Sequence, residues 1–291
     1  MIVSKSAAAF LSIISNIFLI ILKLTVGIIS GSISILSEAL HSGMDLIASV
    51  IAFIAVRISA RPPDELHPYG HGKVENLSAA IEALLLLAAA FFIVWEAARK
   101  IIAPEPLQQT GWAVAVMLFS MTANIFVSRL LYRVAKREDS IALEADALHL
   151  KTDIYTSAGI ALGLAIIHFT HWHILDPIIA IGTALFILRE TLHLLGRSMN
   201  PLLDSKLTEE EERLIISVIE RYRPRIHNYH DLKTRRSGSQ RYVEFHLELD
   251  PSLSVLEFEQ ISNQIEEDIS QVMNYRVTIT IHAETPQKKT P

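Results

Sequence analysis

The sequence predicts an α-helical membrane protein with six transmembrane helices, followed by a small α+β domain at the C-terminus. Of its 291 residues 51% are hydrophobic, and the mean hydropathy is +0.34, whereas soluble domains contain about 45–50% apolar residues. The apolar excess lies before about Gly196, and the sequence beyond Asp204 is charged and typical of a soluble domain. We therefore expect a transmembrane domain at 1–204, a soluble domain at 205–285 and a disordered tail at 286–291.

Six apolar stretches are long enough to cross a bilayer, which takes about 20 helical residues. The stretches are 7–29, 33–58, 77–101, 112–134, 143–169 and 174–195. Glycine or proline separates several of them, at Gly31, Pro62, Pro104 and Pro177, where turns are expected. The first stretch is too long for a signal peptide and lacks a cleavage site of small residues, so we interpret it as a span.

Lysine and arginine in the short connections predict the orientation of these spans. One side carries Lys5, Arg57, Arg61, Lys73, Arg133, Lys136, Arg137, Arg189 and Arg197. The other side carries Arg99 and Lys100. Because positive residues accumulate on the cytoplasmic side, both termini are expected in the cytoplasm, with the spans in the inner membrane of the cell.

The soluble domain is predicted to have the element order αββαβ. Residues 207–222 form a helix opened by Thr208 and a run of four glutamates, which suit a helix N-terminus. Residues 227–236 and 240–250 alternate as two strands around the turn at Gly238. An amphipathic helix at 255–272 and a third strand at 275–282 complete a sheet with helices on one face.

Charge and cysteine content exclude two kinds of ligand chemistry. The net charge of −5 opposes nucleic-acid binding, which requires a basic surface. Cysteine is absent, so thiolate sites are excluded and any metal must be held by histidine and carboxylate.

The strongest functional pattern is a repeated pair of ionisable residues inside the predicted spans. His41 and Asp45 lie four residues apart in the second span, and His149 and Asp153 have the same spacing in the fifth. Residues i and i+4 share one face of a helix, so two such helices offer two imidazoles and two carboxylates to one point. This tetrahedral set suits Zn²⁺ and leaves no position for a catalytic water.

These pairs have two other interpretations. The first is a buried polar network that only holds helices together, which the identical repeat in two different spans disfavours. The second is catalysis, but the sequence contains no His-Glu-x-x-His zinc motif and no Gly-x-Ser-x-Gly motif, and no catalytic residue is predicted.

Other polar residues of the spans are expected either along a polar conduit within the membrane or near the membrane surface. Asn16, Ser37, Glu38 and Asn124 are candidates to line a polar conduit. Lys23 and Glu82 are expected toward the span ends, where long side chains reach water.

Two further metal clusters are predicted outside the spans. Asp64, His67 and His71 follow the second span in a loop rich in proline and glycine, which can wrap three ligands around one ion. In the soluble domain the candidates are His230, His246, His282 and Glu284, on or beside three different strands. Ordinary solvated histidines are the alternative for both sets.

Taken together, these segments resemble the cation diffusion facilitators, most closely the bacterial ferrous-iron/zinc efflux pump branch. The resemblance is carried by the two His-x-x-x-Asp pairs, by His67-Pro-Tyr-Gly-His-Gly-Lys73, and by the segments starting at His230 and Phe245. It covers residues 4–285. It implies a homodimer whose soluble domain resembles a metallochaperone.

The resemblance also implies residue roles. The implied transport site consists of His41, Asp45, His149 and Asp153, and the implied loop site of Asp64, His67 and His71. The implied regulatory zinc site consists of His230, His246, His282 and Glu284. An interlocking salt bridge is implied between Lys73 and Asp204. Two departures are visible. His41 stands where this branch has Asp, which favours zinc, and Glu259 stands where a bridging histidine is expected.

The sequence therefore predicts a proton-coupled exporter of divalent transition metal, with Zn²⁺ as substrate and regulatory ligand and Cd²⁺, Co²⁺ or Fe²⁺ as further substrates. Its expected partners are a second copy of the chain, metal ions, protons and the lipid bilayer. A membrane-anchored zinc sensor or scaffold is the alternative, and a membrane zinc hydrolase is a third and weaker one.

Overall fold

A computed structural model describes residues 4–30, 33–102, 111–170, 175–273 and 275–286. The chain divides into two compact units, Met1–Met199 and Asn200–Pro291. The described part of the first unit consists of six long helices: α1 (Lys5–Ser30), α2 (Ile33–Ser59), α3 (Lys73–Ile102), α4 (Gly111–Glu138), α5 (Ile141–Thr170) and α6 (Leu175–Met199). These helices coincide with the six apolar stretches. The predicted tail beyond Pro286 lies outside the described residues.

The outer surface of the helical unit is apolar, as a bilayer requires. Phe91, Phe126, Ile28 and Trp95 are 75%, 70%, 71% and 62% exposed, and a contiguous apolar surface of this kind is typical of contact with lipid. Within the described residues four helices are long and apolar enough to cross a membrane: Lys5–Ile29, Lys73–Arg99, Ala115–Glu138 and Pro177–Leu203. Helices α2 and α5, which carry the paired His and Asp residues, fall outside this group.

The helices pack closely through small side chains. Helix α5 contacts α2, α3, α4 and α6, and α1 contacts α2 and α4. The core between α1, α2, α4 and α5 contains Ala8, Ala55, Ala135, Ala142 and Ala147, each at most 3% exposed. Small residues let helix backbones approach one another, and this places α2 beside α5, where the predicted ligands lie.

The second unit is a three-stranded sheet with two helices. Its elements are α7 (Glu209–Arg221), β1 (Asn228–Ser237), β2 (Gln240–Glu248), α8 (Val255–Met273) and β3 (Arg276–Glu284), with short 3-10 helices at Asn200–Leu203 and Arg223–Arg225. The strand order is β1-β2-β3, with β1 antiparallel and β3 parallel to β2. The predicted αββαβ order is confirmed.

The two faces of the sheet are chemically different. Along β2, Val243, Phe245 and Leu247 are buried and pack with the helices, whereas alternate residues are half-exposed. Helix α7 begins two residues later than predicted, because Thr208 is its N-cap and forms a capping box with Glu211. The helices therefore cover one face and leave the other face, with its histidines, open.

Candidate metal centres

Three of the four predicted transport ligands meet inside the helical unit. Ligand atoms of Asp45, His149 and Asp153 all lie within 4.8 Å of one another. Asp45 comes from α2 and the other two from α5, one turn apart on the same face. The backbone of His41 belongs to α2, one turn before Asp45, and its side chain lies outside the described part of the structure.

His149 and Asp45 form the centre of this cluster. Nε2 of His149 lies 3.0 Å from Oδ1 of Asp45, and the side chains are only 13% and 7% exposed. Nδ1 of His149 is buried and has no hydrogen-bond partner among the residues described. An imidazole and carboxylates held this close, away from water, suit a divalent metal such as Zn²⁺.

A cavity of about 70 Å³ opens beside the cluster. Asp45 and Asp153 line it, together with Asn16 and Asn124, which were predicted to line a polar conduit. The cavity exceeds the roughly 10–15 Å³ that one water molecule needs, so it has room for an ion with part of its hydration shell. The side chains of Ser37 and Glu38, predicted for the same path, lie outside the described residues.

A second layer of buried polar groups adjoins the cluster, and sequence reasoning missed it. Asp146 is 0% exposed, one turn before His149 on α5. It accepts a hydrogen bond of 2.9 Å from the Ser49 hydroxyl, which in turn accepts one of 2.9 Å from Nδ2 of Asn16. The helical spacing of Asp146 from His149 is the feature of the sequence that indicates it.

The expectation that Lys23 and Glu82 reach water at the span ends is wrong. Lys23 is 6% and Glu82 is 0% exposed. Lys23 donates a 2.7 Å hydrogen bond to Ser42 and lines the cavity, while Glu82 accepts one of 3.4 Å from Ser78. Both side chains have polar partners within the bundle, so their length does not bring them to the surface.

The loop ligands Asp64, His67 and His71 also come together, with ligand atoms within 4.8 Å. Oδ1 of Asp64 is 3.1 Å from Nδ1 of His67, and Oδ2 is 3.3 Å from Nε2 of His71. A turn closed by the hydrogen bond from Gly70 N–H to the His67 carbonyl, 2.9 Å, brings the rings together. Gly70 adopts φ +78°, which favours glycine.

The loop prepares Asp64 to bind a cation. The backbone N–H of His67 donates to Oδ1 of Asp64 at 2.7 Å, and that of Leu66 donates at 3.1 Å. The hydrogen bond from the His67 backbone is the main reason why the pKa of Asp64 lies below its ordinary value of 3.8. Asp64 is therefore a carboxylate at every physiological pH.

In the soluble unit the three predicted histidine ligands lie side by side in one row across the strands, here called the rung, and Glu284 lies two residues beyond His282 on the same face of β3. His230 pairs with His246 and His246 with His282 across the three strands. Glu284 lies 2.7 Å from Nδ1 of His246 and 3.3 Å from Nε2 of His230. These three residues form one ligand group, with all ligand atoms within 4.8 Å.

His282 belongs to a different group, with Glu244 and His246. Nε2 of His282 lies 3.6 Å from Oε1 of Glu244, a residue that sequence reasoning missed although it stands two positions before His246 on the same strand face. The two groups share His246. Glu259 lies on α8, exposed, and the described clusters do not include it, since α8 packs against the opposite face of the sheet.

Lys73 and Asp204, the two residues of the predicted interlocking salt bridge, belong to different units, and the structure describes the surroundings of each within its own unit. Lys73 is the first residue of α3. Asp204 follows the 3-10 helix Asn200–Leu203, adopts φ +54°, and accepts a 3.3 Å hydrogen bond from Nη1 of Arg235.

A helical membrane unit with a buried carboxylate–imidazole cluster, joined to a soluble α+β domain, defines a membrane transporter of cations. Known families agree with this class: the cation efflux transmembrane domain matches residues 9–203 and the cation efflux protein cytoplasmic domain matches residues 207–286. The chain belongs to the cation efflux family, the cation diffusion facilitators, which confirms the resemblance seen in the sequence.

Similar proteins and structures are known. An uncharacterized transporter of Synechocystis sp. is 37% identical over 226 residues, covering 78% of this chain and 73% of that protein. The cation-efflux pump FieF of Klebsiella pneumoniae subsp. pneumoniae is 32% identical over 267 residues, which cover 92% of this chain and 88% of FieF.

Two solved structures cover a smaller part of the chain. A structure of CzrB in its zinc form covers 30% of this chain and 99% of its own, at 34% identity and a TM-score of 0.28. The metal-bound C-terminal domain of the CzcD transporter from Thermotoga maritima covers 28% of this chain and 99% of its own, at 25% identity and a TM-score of 0.26.

Proposed function

We propose that this cation efflux protein is a proton-coupled antiporter that exports divalent transition metal from the cytoplasm, with Zn²⁺ as its main substrate and Cd²⁺, Co²⁺ and Fe²⁺ as further ones. The observation that carries the proposal is the meeting of Asp45, His149 and Asp153 between α2 and α5, beside a cavity that both carboxylates line. The pump FieF, to which the chain is similar, is named for cation efflux.

The donor set favours zinc. One imidazole nitrogen and two carboxylate oxygens are in place, and His41, one turn before Asp45 on α2, supplies a second nitrogen. Two nitrogens and two oxygens in a tetrahedral set suit Zn²⁺, whereas Mn²⁺ prefers more oxygen ligands.

Exchange for protons follows from the chemistry of the ligands. Imidazole and carboxylate bind metal only when deprotonated, so protons and metal compete for the same atoms. Metal enters the cavity from the cytoplasm, the helices rock to expose the cluster to the other side, and protons displace the ion there. The protonated cavity then returns, which carries protons inward and lets the proton gradient drive export.

The topology and assembly belong to the same proposal. All six helices span the inner membrane with both termini in the cytoplasm, and the soluble domain joins two copies into a homodimer. Zinc on the row formed by His230, His246 and His282 acts as a regulatory ligand. The exposed apolar surface of the helices supports their place in the membrane, and the half-exposed His246 supports a zinc site on the sheet.

The test is metal uptake into proteoliposomes with an imposed pH gradient, comparing Zn²⁺, Fe²⁺ and Mn²⁺. Gradient-driven zinc flux should be present in the unaltered protein and lost in Asp153→Asn. Glu138→Gln is the matched control, since it also converts a carboxylate to an amide but lies at the exposed end of α4, beside Arg137. Zinc binding without flux of any metal would instead favour the sensor or scaffold.

A further inference from the structure

We infer that Lys23 is a built-in counter-ion of the transport cavity, which sets the affinity and the release rate of the metal. The inference rests on the proposed function, because it assumes that metal binds at Asp45, His149 and Asp153. It starts from a residue that the sequence alone misplaced. Lys23 interrupts the apolar sequence of α1, where an ammonium is costly unless polar partners surround it.

The geometry places Lys23 at the cavity that Asp45 and Asp153 also line. Its side chain is buried, and Nζ donates a 2.7 Å hydrogen bond to Oγ of Ser42. Ser42 lies on α2 one helical turn before Asp45, on the same face. Lys23, Ser42, Asp45 and Asp153 line one cavity, so a cation that enters this cavity approaches both carboxylates and the ammonium.

Electrostatics gives this arrangement a consequence for metal binding. Charges in a buried cavity interact more strongly than in water, because little solvent screens them. When the cavity is empty, the ammonium balances part of the negative charge of Asp45 and Asp153. When a divalent ion binds, the ion and the ammonium repel each other, so Lys23 weakens binding and speeds release. A transporter gains from this, since an ion that binds too tightly is not released.

A purely structural role predicts something different. If Lys23 only joined α1 to α2 through Ser42, its removal would lower thermal stability and leave the affinity for metal unchanged or weaker. Lys23→Gln separates the two roles, because an amide still donates to Ser42 but carries no charge. Lys23→Arg keeps the charge, and Lys136→Gln removes a lysine charge at the exposed end of α4, beside Glu144.

The experiment is zinc titration by calorimetry on the full chain in detergent, carrying Asp64→Ala and His246→Ala. These changes remove one ligand from the loop cluster and the ligand shared by both soluble groups, so the remaining zinc reports on the cavity. Lys23→Gln and Lys23→Met should lower the Kd at least about tenfold and slow zinc release to a chelator by a similar factor. Lys23→Arg and Lys136→Gln should keep the unaltered Kd.

An unchanged or higher Kd in Lys23→Gln, in protein that elutes as a single folded species, overturns the inference. Asp45→Ala in the same background tests the underlying site. If zinc does not bind to the cavity even with Lys23 present, or still binds after Asp45→Ala, the proposed transport site fails and the role of Lys23 fails with it, whereas an unchanged Kd in Lys23→Gln at an intact site overturns the role of Lys23 alone.

Discussion

The membrane cavity and the open face of the soluble sheet hold similar ligands in opposite surroundings. Asp45 is 5% exposed, and other charged groups line its cavity. The side chains of His230 and His246 are 33% and 21% exposed, on the sheet face opposite to α7 and α8. The ligands of the sheet are already partly solvated, whereas Asp45 is almost completely buried among other charged groups, so the same substitution is expected to have a larger effect in the membrane.

The largest expected effect is the loss of transport in Asp45→Ala. Even outer partners of a metal site contribute about 10–100-fold to affinity, so removal of a ligand in the cavity should lower zinc flux about 100-fold or more. Flux into proteoliposomes measures this, with equal reconstitution confirmed by gel. Retention of more than half of the flux would contradict the placement of the transport site.

The next largest effect is expected for His246→Ala, since this residue belongs to both soluble ligand groups. Zinc bound by the soluble domain should weaken about 10–100-fold, as measured by equilibrium dialysis of the full chain. His227→Ala is the matched control, because this exposed histidine lies outside every cluster among the described residues. Equal losses in both variants would show that the rung is not a specific site.

A smaller effect is expected for Asp64→Asn in the loop. Zinc affinity there should fall about tenfold. Because hydrogen bonding, first of all from the His67 backbone, holds the pKa of Asp64 below 3.8, the carboxylate is ionised at pH 6 and at pH 8 and the deficit should be the same at both. A deficit that disappears at pH 6 would refute this. Glu65→Gln, the exposed neighbour, serves as control.

The smallest effect is expected for Glu82→Gln, which concerns stability rather than transport. Glu82 is fully buried, and its Oε2 atom has no hydrogen-bond partner among the described residues. A buried carboxylate is costly, so the amide should raise stability by about 1 kcal/mol, or roughly 2–4 °C in Tm. Thermal unfolding in detergent measures it, with the more exposed Glu96→Gln on the same helix as reference. A fall in Tm would indicate an ionic partner for Glu82.

Local patterns were enough to predict the helices, the αββαβ order and the pairing of Asp45 with His149 and Asp153. A long apolar stretch predicts a membrane helix, and alternation of apolar and polar residues predicts a strand. Residues at i and i+4 are predicted to share one face of a helix. The histidine rung also followed from the pattern, since each histidine was assigned to a different strand.

How deeply a polar side chain is buried within the helical bundle was not predictable from such patterns. Lys23 and Glu82 have side chains long enough to reach water, and only the packing of neighbouring helices decides that they do not. Asp146 became significant only when Ser49, on another helix, proved to donate to it. Glu244 required the strand register that opposes His246 to His282. Each of these depends on contacts between segments distant in sequence.

The alanine contacts between α1, α2, α4 and α5 have a mechanical consequence. Alanine has no side-chain rotamer to lose or to change, and Ala8, Ala55 and Ala142 lie among larger buried side chains of the same core, such as Leu131 and Leu143. At the alanine contacts the helices can shift against each other without a change of rotamer, whereas the leucines of the same core must repack. A leucine in place of Ala55 would add a large side chain at a site that is only 3% exposed, and it would hinder any such shift.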